Sequence, residues 1–420
     1  MQKWKLYTPE GVQDILFDEC AKKREIEDMT RRLFNKYGFK EIEPPSIEFY
    51  DAFSGNLGSI AQEAMFKSFD RQGRILVLRP DITTSIARIA STKLYKEAYP
   101  LRFSYIGNVF RFDEQVSSKL KQREFTQAGV EILGFDGPEA DAEVIATTIE
   151  AIRQTGLENF QIEIGQVEFF KGLMEQAEFS EEDCEIIRAL IENKDLFGIE
   201  TALIDKNIPK ELKDIIMKLP QMFGTTSMID ELYESIKNER SKKALDNLRE
   251  ICDFLKDYGY EKYISIDLGM VQSLDYYTGM IFKGITHGIG FSLGGGGRYD
   301  KLTSDFGKDI SATGGAIGIN RLMFALDRQN IEISHQGVET LVTYKPKGRK
   351  TALQIARELR RLGVSIEVYL GPVDIEESRK YAEESGIKGI ISVINEKSIK
   401  VYDLISDKVT DTTLKELIEK

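Results

Sequence analysis

Apolar positions along the chain fall into two periodicities, one helical and one strand-like. Over residues 18–37, Ile26, Met29, Leu33, Phe34 and Tyr37 recur at helical spacing and stop at Gly38, which predicts an amphipathic helix closed by a glycine. Residues 75–78 are continuously apolar, and Arg79-Pro80-Asp81 breaks that strand before a polar-started helix near Thr83. Residues 101–134 predict two strands joined by a loop. Over 264–300, Ile264, Ile266 and Leu268 alternate as in a half-buried strand, and Met280-Ile281-Phe282 reads as a buried one. The four glycines at 294–297 predict a bend, because they remove side chains where a backbone turns or approaches something closely. Residues 313–327 read as a glycine-rich strand entering a helix.

Residues 170–260 predict a helical insertion rich in Glu, Asp and Lys. Its last helix places Ala244, Leu245, Leu248, Ile251, Cys252 and Leu255 on one face. A polar stretch at 328–338, broken by Gly337, marks a boundary. Beyond it a small α/β domain is expected, with strand 339–344, helix 351–362, strand 364–370, helix 374–386 and strand 387–395. Two domains follow, 1–327 and 338–420.

Composition narrows the function classes. A chain of 420 residues, 41% hydrophobic and 30% charged, can bury a large core. Its net charge of −12 provides no global basic field for nucleic acid, and over 340–420 basic and acidic residues nearly balance. Lys345, Lys347, Arg349 and Lys350 do cluster, but no tRNA binding is expected. Cys20, Cys184 and Cys252 lack CxxC spacing, which points to a reducing compartment without disulfides or zinc. With neither a signal-peptide core nor a membrane-length apolar run, a cytoplasmic protein is expected. There is no P-loop and no HExxH, and His287 and His335 join no recognisable triad. Neither a metal nor a cofactor is expected.

Candidate chemistry concentrates in a few places. Asp275, Tyr276 and Tyr277 set a short acid beside two phenols, which can line a pocket. Asp81 can cap the helix after it. On residues alone, 264–300 also reads as a hairpin with an irregular turn, and Arg321 as a helix arginine paired with a local acid.

The order Leu274-Asp275-Tyr276-Tyr277-Thr278-Gly279, then Gly295-Gly296-Gly297-Arg298-Tyr299-Asp300, resembles the two histidine-specific motifs of histidyl-tRNA synthetase and its relatives. Residues 7–14 resemble the opening of those proteins. Residues 39–53 resemble class II motif 1 with Pro45, 101–134 motif 2 with Arg111, and 313–327 motif 3 with Arg321. The resemblance spans nearly the whole chain. It implies an α+β fold with a class II aminoacyl-tRNA-synthetase-like core, in which helices flank a mixed, mostly antiparallel sheet. A helical insertion and a small C-terminal α/β domain, similar to an anticodon-binding domain, complete it.

Several positions depart from the synthetase pattern. Gln272 stands where synthetases carry the arginine that helps activate the histidine carboxylate. Leu120-Lys121 replaces a Gly-Arg pair in the motif 2 loop, and Asp113 replaces its usual glutamate. Removing one group that stabilises developing charge typically costs about 10² to 10³ in rate. Arg79-Pro80-Asp81 with Thr83, and the run from Arg123 to Glu131, resemble instead the regulatory subunits of ATP phosphoribosyltransferase.

That resemblance implies a non-catalytic subunit in the first step of histidine biosynthesis. It would bind L-histidine as effector and be required for activity and feedback control of the short-form catalytic subunit, as a homodimer within a hetero-oligomer. The alternative is histidyl-tRNA synthetase itself, charging tRNA with ATP. By resemblance, Asp81, Thr83 and Gln127 hold the ammonium of histidine. Glu131 and Tyr277, with Tyr276 beside them, meet the imidazole, and Arg111 faces the carboxylate. Arg123, Arg298 and Arg321 are remnants of a nucleotide cleft, and no residue is assigned as catalytic.

Overall fold

The computed structural model describes residues 4–55, 60–112, 122–271, 276–334, 337–371 and 374–418. Asp113, Leu120, Lys121, Gln272, Asp275 and His335, which bear on the expectations above, lie outside the described residues.

The helix expected near the N-terminus runs Phe17–Lys36 and buries Ile26, Leu33 and Phe34. Gly38 takes φ +78° just past its end, and the Phe39 N–H donates to the Phe34 carbonyl at 3.1 Å. A left-handed residue there satisfies carbonyls that the helix leaves open, and glycine adopts it without strain.

The described strands that follow are β1 (Lys40–Glu41), β2 (Ile47–Phe49), β3 (Lys67–Phe69), β4 (Ile75–Leu78), β5 (Leu101–Phe110) and β6 (Glu124–Leu133). After them come β7 (Phe160–Gln166), β8 (Phe223–Gly224), β9 (Ile264–Asp267), β10 (Met280–Thr286), β11 (Gly294–Arg298) and β12 (Ala312–Gly318). The main sheet has the order β1-β5-β6-β12-β11-β10-β7-β9-β8, while β2, β4 and β3 form a small separate sheet. Pairs β1–β5 and β7–β9 are parallel and the other main-sheet pairs antiparallel. This is the mixed, mostly antiparallel α+β core expected.

Alternation along β6 assigns its faces. Ala128, Val130 and Ile132 join the large core built with helices 17–36, 138–153, 167–176, 239–257 and 319–328. On the other face Phe125 and Leu133 meet Tyr105, Tyr276, Tyr299 and helix 83–92, with Glu131 between them.

The four-glycine run is not a bend. Residues 294–297 lie within β11, between β10 and β12. A Cβ at Gly296 would sit 2.1 Å from the Gly314 carbonyl oxygen, and one at Gly294 2.2 Å from that of Ala316. The glycines therefore serve close strand approach, which a sequence cannot distinguish from turn formation.

The insertion expected at about 170–260 begins in helix Val167–Gln176 and closes with Glu239–Asp257. The latter buries the six residues its spacing predicts, and Asn238 caps it by accepting from the Ser241 N–H at 3.0 Å. Within the insertion a strand was not foreseen: β8 pairs antiparallel with β9. At two residues it is too short to show a periodicity.

The chain divides into compact units 1–333 and 334–420. The second contains β13 (Thr340–Tyr344), β14 (Ile366–Val368), β15 (Gly389–Asn395), β16 (Ser398–Asp403) and β17 (Lys408–Thr412), in the order β14-β13-β15-β16-β17. Helices Arg349–Arg361 and Ile375–Glu384 accompany them. The hairpin β16–β17 was missed because β17 is almost wholly exposed, so no buried face marks it. Among the described residues no helix is long and apolar enough to cross a membrane.

Candidate functional site

Cross-strand glycines open a trough on one face of the main sheet. Tyr105 of β5 pairs with Gly129 of β6, and Glu131 of β6 with Gly314 of β12. A Cβ on Gly129 would fall 2.5 Å from the Tyr105 ring, and one on Gly314 only 1.5 Å from Glu131 Oε2. Each glycine leaves the room its neighbour's side chain needs. The result is a cavity of about 780 Å³ between the sheet, residues 60–64 and the segment bearing Asp81 and Thr83.

Glu131 lies at its floor, 1% exposed. The Thr83 hydroxyl donates to its Oε1 at 2.9 Å and the Tyr299 phenol to its Oε2 at 2.5 Å. Burial pushes the carboxyl up to about 8, against the opposing hydrogen bonds from Tyr299, Thr83 and Tyr105, while the charge of Asp81 adds to the rise. At neutral pH Glu131 is therefore mostly protonated.

Asp81 does two things at once. It accepts from the Thr84 N–H at 2.7 Å and the Thr84 hydroxyl at 3.1 Å, which caps helix Thr83–Thr92, and it lines the cavity. It touches solvent only in part, and burial raises its pKa while Thr84 and the Arg111 charge pull it down. Arg79, 4% exposed, anchors the turn before it, donating to the carbonyls of Pro44 at 2.6 Å and Asn108 at 2.8 Å.

Aromatic rings make one wall. Tyr276 meets Tyr277 edge-on at 4.8 Å between centroids and stacks on Tyr299 at 5.8 Å. Burial raises the pKa of all three phenols, so they remain neutral hydrogen-bonding groups. Gln127 and Arg111 also line the cavity, with the Arg111 guanidinium 5.0 Å over the Phe125 ring. Arg321 reaches it too, donating to the Ser292 carbonyl at 3.1 Å. Among the described residues no group of three or more His, Cys, Asp or Glu could hold a metal ion.

Asp81, Thr83, Arg111, Gln127, Glu131, Tyr276, Tyr277 and Arg321 thus come together in one cavity. Two expected residues do not. Arg298 is 6% exposed and turned into the protein, where Asp141 takes two of its hydrogen bonds, at 3.0 and 3.1 Å. It also donates to the carbonyls of Phe135 and Gly137, so it serves as a structural cation, and it is not among the described residues lining the cavity. Arg123 pairs with Glu10 at 3.1 Å and covers the Phe112 ring, and it is not among the described residues lining the cavity.

Tyr105, Tyr299, Met270 and Lys283 line the cavity without having been singled out as site residues. Tyr105 carried a usable signal, since it shares the sheet face of Glu131 across the β5–β6 ladder.

The geometry now stands beside known proteins. A family model described as histidyl-tRNA synthetase matches residues 11–322. An ATP phosphoribosyltransferase regulatory subunit of Acetivibrio thermocellus is 54% identical over 419 residues, covering 100% of each chain. One of Ruminiclostridium cellulolyticum is 49% identical over 413 residues, covering 98% of each. The chain belongs to the ATP phosphoribosyltransferase regulatory-subunit family. A crystal structure from Bacillus halodurans, described as an ATP phosphoribosyltransferase regulatory subunit/histidyl-tRNA synthetase, superposes with TM-score 0.81 at 31% identity, covering 93% of this chain and 98% of that one. Histidyl-tRNA synthetase from a Nostoc species reaches TM-score 0.84 at 20% identity, covering 98% and 99%, which is a likeness of fold alone. The regulatory-subunit family and the synthetases therefore share one α+β architecture, and this chain has it.

Proposed function

We propose that this chain is a non-catalytic regulatory subunit that binds free L-histidine in the cavity and acts on a catalytic ATP phosphoribosyltransferase subunit. One observation carries the reading: a buried glutamate, held by Thr83 and Tyr299, faces a cavity that also holds Asp81, Gln127 and Arg111. Asp81 and Gln127 meet the ammonium, Arg111 the carboxylate, and Glu131 with Tyr277 the imidazole. The Thr83 hydroxyl gives its proton to Glu131 and keeps its lone pairs to accept from the ammonium beside Asp81 and Gln127. Analogues lacking the ring nitrogens would leave these buried groups unpaired, which gives specificity. Gln272 in place of a cation supports a site that binds without activating the carboxylate. Feedback then requires that histidine favour one assembly with the catalytic subunit over another.

The test pairs calorimetric titration of the purified chain against histidine with histidine-dependent ATP–pyrophosphate exchange. Binding without exchange is expected. Exchange at an enzyme-like rate would overturn the reading in favour of a synthetase.

Glu131→Ala is expected to weaken histidine binding by about 1–3 kcal/mol, the cost of losing a buried hydrogen-bond partner, as read by the same calorimetry. Unchanged affinity would remove Glu131 from the site.

The pH profile gives an independent check. Glu131 and an imidazole share one proton in the complex, whichever of them carries it. Free imidazole loses its proton near pH ~6.5, whereas free Glu131 keeps its own up to about 8. Between those values the free partners already hold one proton between them, so affinity is flat. Below the window a proton must be released on binding, and above it one must be taken up, so affinity falls on both sides. Glu131→Gln should reduce the alkaline fall to the part left by the ligand's own α-amino group, while retaining the acid limb.

A further inference from the structure

We infer that the helical insertion positions the wall of the histidine cavity, so that occupancy of the cavity and the set of the insertion are coupled. This rests on the cavity being a histidine site. The contact is made by residues 219–224, none of which lines the cavity. Two residues of this segment form β8, which pairs with β9 through Phe223 opposite Asp267 and Gly224 opposite Ile266. Just beyond β9, the Leu268 N–H donates to the Met222 carbonyl at 2.9 Å. Gly269 lies so close to the insertion that a Cβ there would stand 2.6 Å from the Leu219 carbonyl oxygen.

Two cavity-lining residues hang from this junction. Met270 follows Gly269 directly and is wedged from behind, since a Cβ on Gly165 of β7 would lie 2.9 Å from the Met270 Cβ. Lys283 of β10 pairs with Glu163 at 2.8 Å and with Asp267 at 3.7 Å, and Asp267 is the residue that faces Phe223 in the ladder. A shift of the insertion that carries the end of β9 with it thus moves an apolar and a cationic part of the wall together. Packing this close leaves no slack to absorb it. By linkage, a ligand that fixes Met270 and Lys283 must also steady residues 219–224.

The experiment is hydrogen exchange on the full chain with and without saturating histidine, together with calorimetry of Gly269→Ala. Exchange over 219–224 should slow about 5-fold or more, a coupling of ordinary size. Helix Leu196–Ala202, in the insertion but outside residues 219–224, should not change. Protection confined to cavity-lining segments would overturn the inference. Gly269→Ala should bind histidine about tenfold or more weakly while keeping a native thermal transition, and unchanged affinity would again overturn it. If the variant does not fold, exchange on the unmodified chain decides. If the unmodified chain binds no histidine, the reading of the cavity fails first and this inference falls with it; binding without protection of 219–224 removes this inference alone.

Discussion

Asp141→Ala is expected to lower folding stability by about 3–5 kcal/mol, the usual cost of breaking a buried ion pair from one side. Asp141 is 1% exposed in the first turn of helix Pro138–Arg153 and takes two hydrogen bonds from Arg298. Burial alone pushes the Asp141 carboxyl up, and Arg298 opposes that rise. The guanidinium cannot escape by losing its proton, because the intrinsic basicity of arginine keeps it charged even in the interior. Removing Asp141 leaves that cation inside the protein with weaker partners, Asp300 at 3.4 Å and Asp136 at 3.7 Å, the latter mostly exposed. Urea unfolding followed by circular dichroism measures the loss. A cost below about 1 kcal/mol, the scale of an exposed pair, would mean that those two carboxylates suffice. Because Arg298 adjoins Tyr299, the same variant should also loosen the hydrogen bond that holds Glu131.

Gly314→Ala is expected to weaken histidine binding at least as much as Glu131→Ala does, by about 1–3 kcal/mol or more, and to destabilise the fold by about 1–3 kcal/mol, the range for overpacking a dense interior. The added methyl would lie 1.5 Å from Glu131 Oε2 and 2.9 Å from the Val130 carbonyl oxygen. The carboxyl must swing away, and its bonds to Thr83 and Tyr299 go with it. The strand itself has no slack, because β12 is held between β6 and β11. Calorimetry and thermal unfolding on one preparation separate the two effects. Normal affinity in a folded Gly314→Ala chain would show that the Glu131 position is not set by the trough.

The candidate cavity residues were named through the resemblance; local signals along the chain placed them on their elements without assigning them a role. Asp81 and Thr83 sit at a helix start, where strand, proline and capping acid leave a local signature. Gln127 and Glu131 lie on one strand whose alternation assigns them a common face. The misread residues are those whose role depends on a partner far away in sequence. Arg298 looked like a cleft cation until the tertiary structure supplied Asp141 across 157 positions. The glycines of β11 looked like a bend because their purpose, close approach of β10 and β12, lies in neighbouring strands.

By itself the sequence determined the helices with a continuous apolar face and the order of strands and breaks. Those properties are local, set by backbone preference and periodicity over a few residues. Only the tertiary structure decided that Thr83 and Tyr299 close on the two oxygens of Glu131, and that burial carries that carboxyl to about 8. It alone tied residues 219–224 to the strand behind Met270. A hydrogen bond and the loss of water around a charge belong to no single segment; they exist only once strands distant in sequence are brought within a few ångströms.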